Sequence, residues 1–288
     1  MTTAVDEFSL SHGGATLPVH INPRTADVDA RAVNGDARST ILKRRADASI
    51  PHMITVAAAR SPYLTLRALA DRLAALVMLI AAAPVIGLSA LLVKLTSRGP
   101  AFYMQTRLGL RGRLFTIYKL RTMIHNCESL TGPRWSIPGD PRVTPLGRFL
   151  RATHLDELPQ LINVLRGDMS LIGPRPERPE FLSDLERAFP HYTNRLAIRP
   201  GVTGLAQIQL PADTDLDSVR RKLAFDLYYI HKVGLWLDLR ILICTAFYAA
   251  GVPYRALRGL FRIPDGEVVE RHAEMALAAV APRQRLSA

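Results

Sequence analysis

The sequence predicts an α+β chain, mostly helical, with one membrane-associated helix ahead of a domain that holds a few short strands. Three observations predict it. Leu73 to Val93 runs for about 21 residues without a charge, long enough to reach across a hydrocarbon core. Behind it, helix starts and stops such as Thr144-Pro145 and Gly167 punctuate the chain. Phe102 to Gln105 and Phe115 to Leu120 have the aromatic and β-branched character of short strands.

Residues 1–62 are polar, mixed in charge and poor in aromatics. They are expected to form a disordered cytosolic tail and do not read as a secretory signal. Residues 63–97 hold the membrane helix. Its central run is apolar on every face, unlike a buried soluble helix. Pro84 lies near the middle, where it removes one backbone hydrogen bond and presses on the preceding turn. Arg60, Arg67 and Arg72 precede the run, and Lys94, Arg98 and Arg107 follow it. Basic residues favour the cytoplasmic side, and here both flanks are basic. The pattern predicts a re-entrant helix with its break at Pro84, against the alternative of a kinked span.

Residues 98–253 form the main domain. Arg107 to Arg113 reads as a basic turn between the two strands. Thr144 is placed to cap a helix with Pro145 at its first position. Asp156 is read as the cap of the next helix, with Pro159 tolerated in its first turn, an end near Arg166 and a stop at Gly167. Gly173 to Pro176 is a rigid loop, and Arg199 to Gly204 a loop rich in backbone donors. Leu216 to about Lys232 and Leu235 to Ala250 read as helices, the second either in the core or in a membrane interface. Residues 254–288 are a C-terminal extension.

The 288-residue chain carries 37 Lys and Arg against 25 Asp and Glu, a formal charge of +12. Such an excess fits lipid headgroups, a phosphorylated substrate or nucleic acid. The apolar run and the lack of a nucleic-acid motif argue against the last. Cys127 and Cys244 stand far apart without ligand-spaced companions, which argues against a disulfide framework and a zinc site.

The candidate chemistry lies in Asp156-Glu157-Leu158-Pro159-Gln160. Adjacent acids on a helix project about 100° apart. They suit unequal roles, one attacking or holding a metal while the other orients or protonates. An ionised carboxylate is favoured at a helix start, and an oriented Asp is a competent nucleophile toward phosphorus. Capping and dipole compensation are the plainer alternative. Lys119, Arg121, Arg148, Arg151, Arg175 and Arg178 flank the pair in sequence, and phosphate transfer needs such cations. Asp226, in the apolar setting Leu223 to Tyr229, is either a structural ion-pair partner or a site acid.

Several stretches resemble the bacterial sugar transferase family, the monotopic polyprenyl-phosphate phosphoglycosyl transferases. They are Phe115-Thr-Ile-Tyr-Lys-Leu-Arg-Thr-Met123, Asp140-Pro-Arg-Val-Thr-Pro-Leu-Gly-Arg148, Leu155 through Pro176, and Arg199-Pro-Gly-Val-Thr-Gly-Leu-Ala-Gln207. The likeness covers about Leu66 to Gly251, and several long motifs in order are a specific signal. It implies transfer of a sugar 1-phosphate from a UDP-sugar to undecaprenyl phosphate, with release of UMP, in exopolysaccharide or other glycoconjugate synthesis. It implies Asp156 as nucleophile, forming a phosphosugar-aspartyl intermediate, with Glu157 as its partner and Mg²⁺ at the dyad on Asp156. It places phosphate-binding cations at Lys119, Arg151 and Arg175, an additional site acid at Asp226, and the membrane-helix break at Pro84. It further implies residence among the lipids of the bacterial inner membrane, with the catalytic domain on the cytoplasmic face.

Two departures stand out. Ala83 occupies a position that is often Ser in the family's minimal form. The first ~60 residues hold none of the spans that the large form adds, so the chain resembles a minimal catalytic unit with an N-terminal extension. A membrane scaffold that has lost its chemistry is the competing reading, and the intact Asp156-Glu157 pair and its cations argue against it.

Overall fold

The computed structural model describes residues 62–129, 132–189, 191–249, 251–252 and 254–272. The N-terminal tail, Ala250 and the last part of the C-terminal extension, on all of which the sequence carries expectations, lie outside them.

The first helix, α1 (Pro62–Thr96), contains 35 residues, roughly 52 Å if straight. The sequence placed a break at Pro84, but helical backbone continues through it. A proline inside a helix removes one bond and bends the axis without having to end the helix. Burial divides α1 into three parts. Arg67, Asp71 and Ala75 are buried near its start, and Ser89 and Val93 near its end. Between them Leu76, Val77, Met78, Ile80, Val85 and Leu88 are exposed.

Both ends are fastened to the same domain. Near the start, the Arg67 guanidinium donates to Tyr229 Oη at 2.8 Å, to Ser170 Oγ at 2.6 Å and to the Ile172 carbonyl. It also faces Asp238 at 3.1 Å and Asp71 at 3.6 Å. Near the far end, Val93 packs with Leu120 and Leu150. There Arg121 donates to the Ser97 carbonyl and hydroxyl at 2.9 and 2.8 Å, and to the Arg98 carbonyl.

β1 (Phe102–Leu108) and β2 (Leu114–Leu120) form an antiparallel hairpin, with β1 longer than the sequence suggested. The basic turn between them places Arg111 in the left-handed region, φ 54°. Alternation along β2 sends Phe115 and Ile117 into the core and Lys119 to the same face. Asn163 acts as a surrogate neighbour for this strand. Its side-chain amide donates to the Thr116 carbonyl at 2.6 Å and accepts from Tyr118 N at 3.1 Å.

α2 (Pro145–Ala152) begins as expected, with Thr144 Oγ1 accepting from Gly147 N and Pro145 at the first position. Gly147 lies against the Thr122 backbone, where a Cβ has no room. The next segment differs from the expected single helix. It is a 3-10 turn, Leu155–Gln160, followed by α3 (Leu161–Arg166), which stops at Gly167 with φ 80°. Asp156 does not cap it. His154 precedes the turn at φ 56°, and no side-chain cap bond forms. The reversal after α2 uses that left-handed residue, so Asp156 falls inside the turn and its carboxylate stays available.

β3 (Ser170–Ile172) pairs in parallel with β4 (Gly201–Thr203). Gly173 and Gly201 meet back to back there, again without space for a Cβ. α4 (Leu182–Ala188) and a 3-10 turn at Tyr192–Ala197 lie between these strands. α5 (Leu216–Lys232) starts in a reciprocal capping box of Asp215 and Ser218. α6 (Leu235–Ala249) and α7 (Tyr254–Leu260) follow, and residues 266–272 are helical. The main core joins Ala75 of α1 to Ile117, Val164, Ile172, Phe225, Tyr229 and Ile241. The mostly helical α+β class with short strands holds.

Candidate active site

The Leu155–Gln160 turn packs on β2 and on α1, and it carries Asp156 and Glu157. With three residues per 3-10 turn, neighbouring side chains diverge by about 120°, and the two acids meet different surroundings. Glu157 Oε1 accepts from Lys119 Nζ at 2.7 Å and from Arg175 Nη2 at 2.7 Å. Burial works against its charge, but attraction from Arg175 and Lys119 and their hydrogen bonds hold its pKa well below the usual carboxylate range. Glu157 is thus a fixed anion that draws two cations together.

Asp156 is 7% exposed. Among the described residues no group hydrogen-bonds to its carboxylate. Burial, reinforced by the adjacent Glu157 charge, raises its pKa above the ordinary Asp value, while Lys119, Arg151 and Arg175 pull the other way. The result is a desolvated carboxylate with free oxygens and three cations around it.

Each cation is placed by a different element. Lys119 comes from β2, and burial lowers its pKa despite Glu157. Arg151, on α2, is aimed by Thr122 Oγ1 at 2.9 Å and Ser136 Oγ at 3.0 Å. Arg175 comes from the Pro174-Arg175-Pro176 loop; Glu157 raises its pKa, and its side chain remains 41% exposed, leaving a face open to a ligand.

The structure therefore brings together Asp156, Glu157, Lys119, Arg151 and Arg175. It takes other candidates elsewhere. Arg121 closes the end of α1. Arg178 pairs with Glu128 at 2.8 and 3.0 Å, and Arg148 is exposed on α2. Asp226 does not join the dyad's hydrogen bonds. It is buried against Arg195, at 2.6 Å from Nη2 and 3.0 Å from Nε, which is the ion-pair alternative read from the sequence. Thr122, Ser136 and Arg195 support the site and were not singled out in the sequence. Thr122 falls inside the Phe115–Met123 stretch, and the other two carry no local signal.

Among the described residues no three His, Cys, Asp or Glu side chains gather as a metal cage. Magnesium is commonly held by one or two carboxylates together with substrate phosphates and waters. The free oxygens of Asp156 fit that pattern, whereas those of Glu157 are engaged.

A sequence model of the family described as "Bacterial sugar transferase" matches residues 62–251. A UDP-N-acetylgalactosamine-undecaprenyl-phosphate N-acetylgalactosaminephosphotransferase of Aeromonas hydrophila is 43% identical over 175 residues, 61% of this chain and 41% of that protein. A UDP-glucose:undecaprenyl-phosphate glucose-1-phosphate transferase of Caulobacter vibrioides is 46% identical over 177 residues, 61% of this chain and 66% of that one. The exopolysaccharide production protein PSS of Rhizobium leguminosarum bv. phaseoli is 39% identical over 187 residues, 63% of this chain and 94% of its own length. The first two matches thus span less than two thirds of the relatives concerned.

Proposed function

Because the chain belongs to the bacterial sugar transferase family, we propose that it moves a sugar 1-phosphate from a UDP-sugar to undecaprenyl phosphate, releasing UMP. The observation that carries this reading is the division of labour in the dyad. Glu157 pairs with Lys119 and Arg175 and holds them in place with net positive charge to spare, while Asp156 beside them keeps free oxygens. A carboxylate oxygen of Asp156 attacks the sugar-bearing phosphorus. The bond from that phosphorus to the bridging oxygen breaks, and UMP leaves with the electron pair. An oxygen of undecaprenyl phosphate then attacks the same phosphorus, and the aspartyl–phosphorus bond breaks to restore Asp156. A covalent intermediate lets a water-soluble donor and a lipid acceptor react in turn at one group. Lys119, Arg151 and Arg175 offset the charge that develops on the transferring phosphate. A magnesium ion held by Asp156 and the diphosphate would neutralise the leaving nucleotide. An inactive scaffold would gain nothing from a desolvated, unpaired carboxylate, which favours the enzyme.

The test is a UMP-release screen over UDP-glucose, UDP-N-acetylgalactosamine and other UDP-sugars, with undecaprenyl phosphate and Mg²⁺. Repeated turnover that needs both substrates, with at most about one UMP per enzyme from donor alone, and that stops with EDTA and returns with Mg²⁺ supports the proposal. No release with any donor overturns it. Arg175→Ala should lose about tenfold to a hundredfold in turnover at limiting donor, since a charge-assisted contact contributes about 1.5–3 kcal/mol. Full activity at limiting donor would make Arg175 a surface residue.

The same reading places α1 as a re-entrant element of the inner membrane, with the domain on its cytoplasmic face. Its two ends fasten to one domain while its apolar middle is uncovered. A straight crossing would require that domain to contact both faces of the bilayer. α6 supports an interfacial placement. Leu235, Leu239, Ile243 and Phe247 form an exposed apolar stripe beside exposed Trp236. Asp238 of this helix accepts from Tyr63 of α1 at 2.5 Å. The His154 ring, just before the dyad, lies 6.0 Å from Tyr248 on α6, which would keep Asp156 near lipid headgroups. A cysteine introduced at position 40, with Cys127 and Cys244 replaced, should resist an impermeant thiol reagent in intact cells. External labelling would show a span and end the re-entrant reading.

A further inference from the structure

The loop that carries Arg175 has almost no regular structure, yet its backbone is held at every carbonyl from Pro174 to Glu177. The Pro174 carbonyl accepts from Gly201 N at 2.9 Å, and that of Glu177 from Leu108 N at 2.9 Å. The two between them are held by arginine side chains. Arg195 Nη2 donates to the Arg175 carbonyl at 3.0 Å, and Arg107 Nη1 to the Pro176 carbonyl at 3.0 Å. Pro174 and Pro176 have no N–H to donate, so carbonyls are the main handles by which this segment can be held.

Arg195 is the more deeply set of the two, 4% exposed. Asp226 Oδ2 accepts from its Nε and Nη2, Tyr192 Oη accepts from its Nη1, and Glu177 Oε2 lies 3.9 Å away. Its guanidinium also lies over the Tyr192 ring, 5.0 Å from the centroid. A buried arginine with this many partners has little freedom, and its bond to the Arg175 carbonyl links the cluster to the candidate site.

We propose that Arg195, held by Asp226, is a positioning residue that fixes the Arg175 backbone so that the Arg175 side chain meets the donor's diphosphate. This rests on the reading of Arg175 as a diphosphate-binding cation. Asp226 then serves the reaction at one remove: it orients the arginine that orients the arginine.

Arg195→Lys discriminates. A lysine keeps the charge opposite Asp226 but lacks the planar fork that reaches both Asp226 and the Arg175 carbonyl. With the full chain in detergent and the UDP-sugar that turns over, kcat/KM should fall by about tenfold to a hundredfold, the scale of a small misplacement. The loss should sit mainly in a raised KM for the UDP-sugar, with the KM for undecaprenyl phosphate unchanged. Combined with Arg175→Ala, it should cost no more than Arg175→Ala alone, within about twofold. Additive losses, or full activity of Arg195→Lys, overturn the positioning role while leaving the diphosphate reading intact. No effect of Arg175→Ala on its own overturns both. If Arg195→Lys does not fold, Asp226→Asn, which keeps an acceptor in place, is tested against the same double-variant criterion.

Discussion

Asp156→Asn should lower sugar 1-phosphate transfer by about 10⁴-fold or more, the scale expected if the proposed covalent nucleophile is lost, and should leave a folded protein. The amide has nearly the shape of the carboxylate but cannot form the proposed acyl-phosphate linkage to the sugar phosphate. Folding should not suffer. Burial raises the Asp156 pKa, so ionising this carboxylate costs the folded state more than it costs the unfolded chain. Asn removes that penalty, and the melting temperature should stay level or rise. The wild type should also show a pH signature. A raised folded-state pKa means Asp156 takes up its proton before an ordinary aspartate does as pH falls. Transfer should therefore fail on the acid side at a pH above the usual Asp range, while Glu157, shifted the other way, stays ionised. Intact-protein mass measurement after incubation with donor alone, followed by peptide mapping, should locate a phosphosugar on Asp156. A label on another residue, or normal turnover by Asp156→Asn, would sink the assignment.

Arg67→Ala should have the largest effect on stability. It leaves Asp238 and Asp71 buried without the cation between them and removes donors to Tyr229, Ser170 and Ile172. Removing one partner of a buried charge cluster costs about 3–5 kcal/mol, or roughly 10 °C in melting temperature for a domain of this size. Arg67→Lys should recover part of the loss, since it restores charge but not the fork. Arg67→Met with Asp238→Leu should also recover part, because the apolar replacement removes one of the two stranded carboxylates, with Asp71 still left. Thermal unfolding in detergent measures all three. A melting temperature for Arg67→Ala equal to the wild type would mean that this cluster does not tie α1 to the domain.

Much of the local structure was legible in the residues. The apolar run, Thr144 with Pro145, Gly167 and the helix from Leu216 each act through neighbours within one or two turns, so their positions could be read directly. The acid pair with Lys119, Arg151 and Arg175 was also legible, through several motifs in order. The long-range fastening was not. Arg67, Asp71 and Asp238 look like flanking charges of apolar helices, and folding turns them inward because each finds an opposite charge or hydroxyl from a distant segment. Arg121 and Arg178 share the sequence setting of Arg175, but Arg121 meets the end of α1 and Arg178 meets Glu128. Sequence alone determined that there is a long apolar helix, a helical domain behind it and an acid pair among cations. The tertiary structure decided which acid is left free, which cations reach it, and that both ends of α1 fasten to one body. Those outcomes depend on hydrogen bonds and burial between residues far apart in the chain, which no local pattern records.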